Sequence, residues 1–76
     1  MKIEVLGPGC SRCDALAASA RAALTKMGLD AEVTKVTDIN EITSRGVMVT
    51  PALVVDGEVK ASGRALSPEE IQAILS

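Results

Sequence analysis

Apolar and polar residues follow two different spacings along the chain, and each change of spacing marks a new element. Lys2 to Leu6 (KIEVL) is rich in branched residues and predicts a short strand, closed by the loop Gly7-Pro8-Gly9. From Ser11 to Met27 apolar residues recur at helical spacing, which predicts an amphipathic helix ended by Gly28 in a left-handed C-cap. The apolar stripe of this helix consists of Cys13, Leu16, Ala17, Ala20, Leu24 and Met27.

The middle of the chain predicts a second strand and a short second helix. The strand runs from Ala31 to Val36. Asp38, followed by Glu41, has the form of a capping box for a helix that ends before Gly46. This helix offers only Ile39 and Ile42 to a core.

A hairpin follows in the third quarter of the chain. The apolar run 52–55 and the strand-like run 58–61 are separated by Asp56-Gly57, which suits a type I′ turn because that turn needs positive φ at both central residues.

The last element is a helix with a complete set of start signals. Ser67 supplies an N-cap, Pro68 the first helical position and Glu70 an acid at the third, ahead of an apolar face formed by Ile71, Ile74 and Leu75. The order is strand, helix, strand, helix, hairpin, helix, without linker or repeat. Crossovers of this kind predict one α/β domain over residues 1–76, with a central sheet carrying helices.

Composition narrows the function classes that fit such a small domain. The 76 residues are 47% apolar, but 11 are alanine, so the core must come mainly from eight Val, seven Leu and five Ile. The chain contains no Trp, Tyr, Phe or His, which excludes histidine general base chemistry, His-ligated metals and aromatic base stacking. Lys and Arg are scattered in a chain of net charge −2, which argues against nucleic-acid binding.

Hydropathy also bears on where the protein works. The amino-terminal residues lack the long apolar core of a signal peptide, and no apolar run approaches membrane-spanning length. We therefore expect a cytoplasmic protein that does not contact a membrane. A monomer is the default expectation for so small an acidic chain.

The candidate chemistry lies in Cys10-Ser11-Arg12-Cys13, where the first strand gives way to the first helix. A link this short would stabilise the fold by only roughly 2 kcal/mol, so redox chemistry or metal binding explains the pair better than stapling. Cys10 falls near the predicted N-cap, where unpaired N–H groups, the helix dipole and Arg12 favour a thiolate. Cys10 is thus the predicted attacking sulfur, and Cys13, one turn deeper and partly buried, the resolving one.

Three other uses of the pair stay open at this point. The two cysteines could simply fill space, or their disulfide could act only as a conformational switch in an interaction module. Two thiolates can also hold Cu(I), as in metallochaperones whose metal loop joins a strand to a helix. Those proteins carry a Met two residues before the first Cys, where this chain has Pro8, and structural zinc would need further ligands. We predict no metal site.

Four segments together carry a resemblance to a known family: KIEVLGPGCSRC, Val49-Thr50-Pro51, Val55-Asp56-Gly57 and Ser62-Gly63-Arg64. Over almost its whole length the chain resembles the thioredoxin superfamily, and most closely its small, glutaredoxin-like redox-active disulfide proteins. The resemblance implies a four-stranded mixed sheet with three helices. It also implies a cis peptide bond before Pro51, packed beside the disulfide.

The resemblance implies a substrate site as well. In the family the backbone at Thr50 pairs with the extended substrate chain. The residues expected to contact substrate are Pro8, Gly9, Ser11, Arg12, Thr50, Pro51 and Gly63. Val47 and Met48 approach the same edge, either as an apolar contact surface or as buried residues leading into it.

The chain also departs from the family pattern. Ser11-Arg12 is neither the Gly-Pro of typical thioredoxins nor the Pro-Tyr common in glutaredoxins. The acidic residue that would follow Gly63 in a glutathione site is absent, so Arg64 is expected to be a solvated loop charge. Glu4 occupies the offset of a buried proton-relay acid, and with Lys2 on the same strand face we expect it to be half-solvated.

These observations predict a thiol-disulfide oxidoreductase that exchanges a Cys10–Cys13 disulfide with protein disulfides. No cofactor is expected, because the chain has neither a GxGxxG turn after a strand nor a GxxxxGK[ST] loop. A separate electron donor of the thioredoxin-reductase type would then regenerate the dithiol.

Overall fold

The order of elements agrees with the sequence pattern to within a residue or two. A computed structural model describes residues 1–9 and 11–76. The strands and helices are β1 (Lys2–Leu6), α1 (Ser11–Met27), β2 (Glu32–Val36), α2 (Ile39–Ser44), β3 (Ala52–Val55), β4 (Glu58–Ser62) and α3 (Pro68–Leu75).

The strands form one four-stranded mixed sheet in the order β2-β1-β3-β4. β1 runs parallel to β2 and antiparallel to β3, and β3 and β4 form the predicted hairpin. At the hairpin turn Asp56 and Gly57 have φ values of 50° and 84°, the two positive angles of a type I′ turn. The α/β fold with four strands and three helices is therefore confirmed.

The two faces of the sheet are covered unequally. Helices α1 and α3 pack on one face over the larger core, which consists of Ile3, Val5, Leu16, Ala17, Ala20, Ala23, Leu24, Leu53, Val55, Leu66 and Ile71. The short helix α2 covers part of the other face, over a smaller core of Leu6, Ile42, Val47, Ala52 and Val54. The alternation of β1 side chains between the faces explains why both cores draw on one strand.

Helix α2 departs from the sequence expectation in two details. The Asp38 carboxylate accepts a hydrogen bond from the Asn40 N–H at 2.9 Å, one residue before the Glu41 N–H that a capping box would use. Ile42 is buried, but Ile39 is 60% exposed, so the prediction that both face the core was wrong. Ile39 is the first residue of the helix and does not belong to the smaller core that contains Ile42.

Candidate functional site

The segment after β1 places the start of α1 against the end of the sheet. Gly7 is buried, and its N–H donates to the Val36 carbonyl at 2.9 Å, which extends the parallel pairing of β1 and β2 by one residue. Pro8 and Gly9 are exposed. Cys10 lies outside the described residues, so its predicted N-cap position and attacking role stay predictions.

Cys13 lies in the first turn of α1 and is only 2% exposed. We expected partial burial, but the sulfur is enclosed because Gly7 packs directly against it. A Cβ built on Gly7 would overlap Cys13 Sγ and would lie 3.4 Å from Cys13 Cβ. Ser11 and Arg12, in the same turn, are exposed. The helix thus buries one cysteine and presents the two residues before it to solvent.

The loop before β3 meets the same point. The Thr50–Pro51 peptide bond is cis, as the resemblance implied. Pro51 is buried and Thr50 is half-buried, and the Cβ built on Gly7 would lie 3.8 Å from Thr50 Cβ. The end of β1, the first turn of α1 and the Thr50–Pro51 loop therefore converge on the α-carbon of Gly7.

Gly63 holds this loop from its other side. Its N–H donates to the Pro51 carbonyl at 2.8 Å. Its φ is +83°, and a Cβ there would lie 3.0 Å from Val49 Cγ1, so both backbone angle and space favour glycine. Gly63 is one of the residues predicted to contact substrate. In the structure it packs against the loop that contains Val49 and Pro51.

The sequence left two interpretations of the residues that precede Thr50: an apolar contact surface or a buried lead-in. The structure assigns one residue to each. Val47 is buried in the smaller core, whereas Met48 is 89% exposed and Val49 57% exposed. Val47 is therefore a buried lead-in, and Met48 belongs to the surface. Together Met48 and Val49 form an exposed apolar pair next to Thr50, which we call the apolar lip.

The expectation that Glu4 is half-solvated was wrong. Its side chain is buried, and the Arg45 guanidinium donates to both carboxylate oxygens, each at 2.8 Å. This hydrogen bonding lowers the pKa of Glu4 below its usual range, with help from the positive charges of Arg45 and Lys2 and against the effect of burial. Sequence reasoning considered Lys2 but missed Arg45, which is 41 residues away in sequence and arrives from the end of α2.

Arg64 is exposed as expected, but it is not a solitary charge. Its guanidinium pairs with the Glu70 carboxylate, which also accepts a hydrogen bond from the Ser67 N–H at 3.1 Å. The Ser67 backbone is the main cause of the lowered pKa of Glu70, and Arg64 adds to it. The sequence indicated only the capping role of Glu70 at the start of α3, and that role needs no charged partner.

In residues 1–9 and 11–76, no three His, Cys, Asp or Glu side chains come together as a metal site would require. Within the same residues, no helix combines the length and apolar character needed to cross a membrane.

Comparison with known proteins gives results that agree with one another. A family model described as a thioredoxin domain matches residues 1–76. A thioredoxin of Methanothermobacter thermautotrophicus is 45% identical over 76 residues, covering 100% of this chain and 99% of that protein. A thioredoxin of Methanocaldococcus jannaschii is 39% identical over 70 residues, covering 92% of this chain and 80% of that protein.

Proposed function

The chain belongs to the thioredoxin family, and from that premise we propose that it is a thiol-disulfide oxidoreductase acting on protein disulfides through Cys10 and Cys13. One observation carries the proposal: the buried Cys13 sulfur and the Thr50–Pro51 loop meet at Gly7, at the sheet end where α1 begins. The proposed resolving cysteine and the proposed substrate-binding edge then share one place on the molecule.

The proposed reaction has two exchange steps. The Cys10 thiolate attacks one sulfur of the substrate disulfide; the S–S bond breaks, the other substrate sulfur leaves as a thiolate, and a mixed disulfide forms. The Cys13 thiolate then attacks the Cys10 sulfur, which releases the second substrate thiolate and leaves a Cys10–Cys13 disulfide. Both released thiolates take protons from water. Two electrons pass to the substrate, and a thioredoxin-reductase-type donor returns them to the protein.

The surroundings of Cys13 support its role as the resolving thiol. At 2% exposure its sulfur is out of reach of a bulky external disulfide, but it can reach a sulfur brought to the start of its own helix. Arg12 is exposed beside it and adds positive charge where thiolates must form. The substrate chain would lie along Thr50, with Pro8, Gly9 and the apolar lip around it.

Single-cysteine variants test this proposal. Cys10→Ser should abolish reduction of a disulfide-bonded protein, whereas Cys13→Ser should accumulate a covalent mixed disulfide with that protein. Intact mass under non-reducing conditions distinguishes the two, and it suits a chain without aromatic residues. Equal activity in both variants would contradict the assigned roles.

A redox titration of the unaltered protein provides the matching equilibrium measurement. We expect both thiols to convert together to an internal disulfide within or near the roughly −200 to −270 mV spanned by glutaredoxins and thioredoxin. A pair that resists internal oxidation, with stoichiometric metal in the native mass, would assign the thiolates to metal binding instead.

A further inference from the structure

We propose that Gly7 is a positioning residue for the redox reaction. The Cys13 sulfur occupies the space that a side chain at position 7 would fill. This inference deepens the proposed function and rests on it for its kinetic consequence. Its structural basis is independent, because the contact is between two described residues whatever reaction they serve.

Backbone geometry does not explain why a glycine stands at this position. The residues with positive φ include Gly9, Gly28 and Gly63, but Gly7 is not among them, so an L side chain could adopt its backbone angles. Its N–H is bonded to the Val36 carbonyl as in a regular strand pair. What excludes a side chain is volume, since a Cβ would occupy the place of Cys13 Sγ.

The neighbours of Gly7 determine what a methyl group would do there. Cys13 Cβ and Thr50 Cβ would be 3.4 Å and 3.8 Å from the added carbon, which is close to ordinary contact. Cys13 Sγ alone must move, by rotating about χ1 or by carrying the first turn of α1 outward. Either movement takes the resolving sulfur away from the end of β1 and changes its distance to the Thr50–Pro51 loop.

The second exchange step is the one that this movement would slow. In that step Cys13 must approach the Cys10–substrate disulfide in line, and small misplacements of a reacting atom slow such attacks strongly. Gly7→Ala should therefore lengthen the lifetime of the mixed disulfide by about tenfold or more, while the first attack by Cys10 keeps its rate.

A double-mutant cycle on stability tests the contact without assuming any reaction. Under reducing conditions Gly7→Ala should lower the melting temperature by about 4–24 °C, the expected range for overpacking in a domain of this size. In a Cys13→Ala background the sulfur is gone and the same substitution should be neutral or slightly stabilising, since alanine restricts the unfolded chain. Circular dichroism reports both values.

Gly28→Ala is the matched control for the cycle. Gly28 has φ +67° with nothing within 4 Å of a built Cβ, so its substitution strains the backbone without touching Cys13. Its cost should be the same with and without the Cys13 sulfur. A cost of Gly7→Ala that is also unchanged by removing the sulfur would overturn the proposal.

The kinetic arm measures the decay of the mixed disulfide by quenched-flow thiol trapping, in Gly7→Ala and in Gly28→Ala. Slower decay only in Gly7→Ala supports the positioning role, and equal decay rates would overturn it and leave Gly7 a packing residue. Failure of Cys13→Ser to trap any mixed disulfide would instead count against the proposed function, and the stability cycle would still decide the contact.

Discussion

At the scale of single residues, the Glu4–Arg45 pair shows how a buried charge is accommodated in a small domain. Glu4 lies in the middle of β1, one of the two inner strands, and both of its carboxylate oxygens accept from one guanidinium. Arg45 caps the end of α2 and remains 29% exposed at its side chain, so the pair bridges the sheet and the solvent. The carboxylate is thereby committed to a structural contact with Arg45, and the hydrogen bonds of that contact lower its pKa.

Removing the Glu4 charge should cost stability in a pH-dependent way. We expect Glu4→Gln to lower the free energy of unfolding by about 1.5–3 kcal/mol at pH 7, the range for hydrogen bonds to charged groups. Because the pKa of Glu4 is lower in the folded state, its contribution is complete above the unfolded glutamate pKa of about 4.3 and is lost as the pH falls through the lower folded value. Urea unfolding followed by circular dichroism at pH 7 and near pH 3 measures this.

The comparison must separate Glu4 from the other carboxyl groups. Glu70 also has a lowered pKa, but its effect is common to the wild type and the Glu4→Gln variant and cancels in their difference. Asp30→Asn makes the same carboxyl-to-amide change at an exposed position and should shift stability by less than about 0.5 kcal/mol. A wild-type advantage over Glu4→Gln that persists unchanged at low pH would contradict the ionic origin of the effect.

The Glu4–Arg45 pair could not be predicted from the sequence, whereas the positions of other single residues could. Local spacing placed Cys13 on the buried stripe of α1 and Asp56-Gly57 in the turn, because the residues that decide those positions are near neighbours. The partner of Glu4 comes from 41 residues away and depends on where the end of α2 rests on the sheet. No local pattern encodes that placement.

At the scale of elements, the two short helices differ in how their first turns are closed. In α3 the Ser67 hydroxyl accepts from the Glu70 N–H at 3.2 Å while the Glu70 carboxylate accepts from the Ser67 N–H, a complete capping box. Helix α2 starts from the same sequence signature, yet its Asp38 carboxylate turns to Asn40. The signature therefore predicts where a helix begins more reliably than which atoms cap it.

Loss of the Ser67 hydroxyl should destabilise α3 measurably. Ser67→Ala is expected to lower the free energy of unfolding by about 1 kcal/mol, because the Glu70 N–H loses its acceptor. In a domain of this size that corresponds to a fall in melting temperature of about 4–8 °C. Ser62→Ala, at an exposed position in β4, is the matched control and should change the melting temperature little. Equal effects of the two substitutions would contradict the capping role.

At the scale of the whole molecule, the end of the sheet that carries the candidate site combines the buried Cys13 sulfur with an exposed apolar surface. Val47 anchors the loop in the smaller core and Pro51 is buried behind it, so Met48 and Val49 are held outward between two fixed points. Apolar side chains this exposed gain most by being covered when another protein docks. We therefore expect the apolar lip to contribute to recognition of large substrates rather than to the chemistry itself.

This expectation can be tested by comparing the reduction rates of a protein disulfide and a small disulfide. Met48→Ser should lower the rate of reduction of a protein disulfide by about fivefold to tenfold, equivalent to roughly 1–1.4 kcal/mol of lost apolar contact. The rate with a small non-peptide disulfide and the melting temperature should be unchanged. Leu29→Ser alters an exposed apolar residue beyond the far end of α1 and should leave both rates as they are. Equal losses on both substrate types for Met48→Ser would place Met48 in the chemistry or the fold instead.

The central position of β1 also has a consequence for biosynthesis. Lys2 and Asp56 exchange two hydrogen bonds where the inner strands β1 and β3 meet, although they are 54 residues apart. During synthesis β1 therefore emerges before α1, β2 and α2, and its antiparallel neighbour β3 emerges only after all of them. A nascent polypeptide paused within α2 holds β1 with one edge unpaired and its apolar side chains uncovered, a state that favours chaperone binding. Translation must pass the hairpin before the sheet can close.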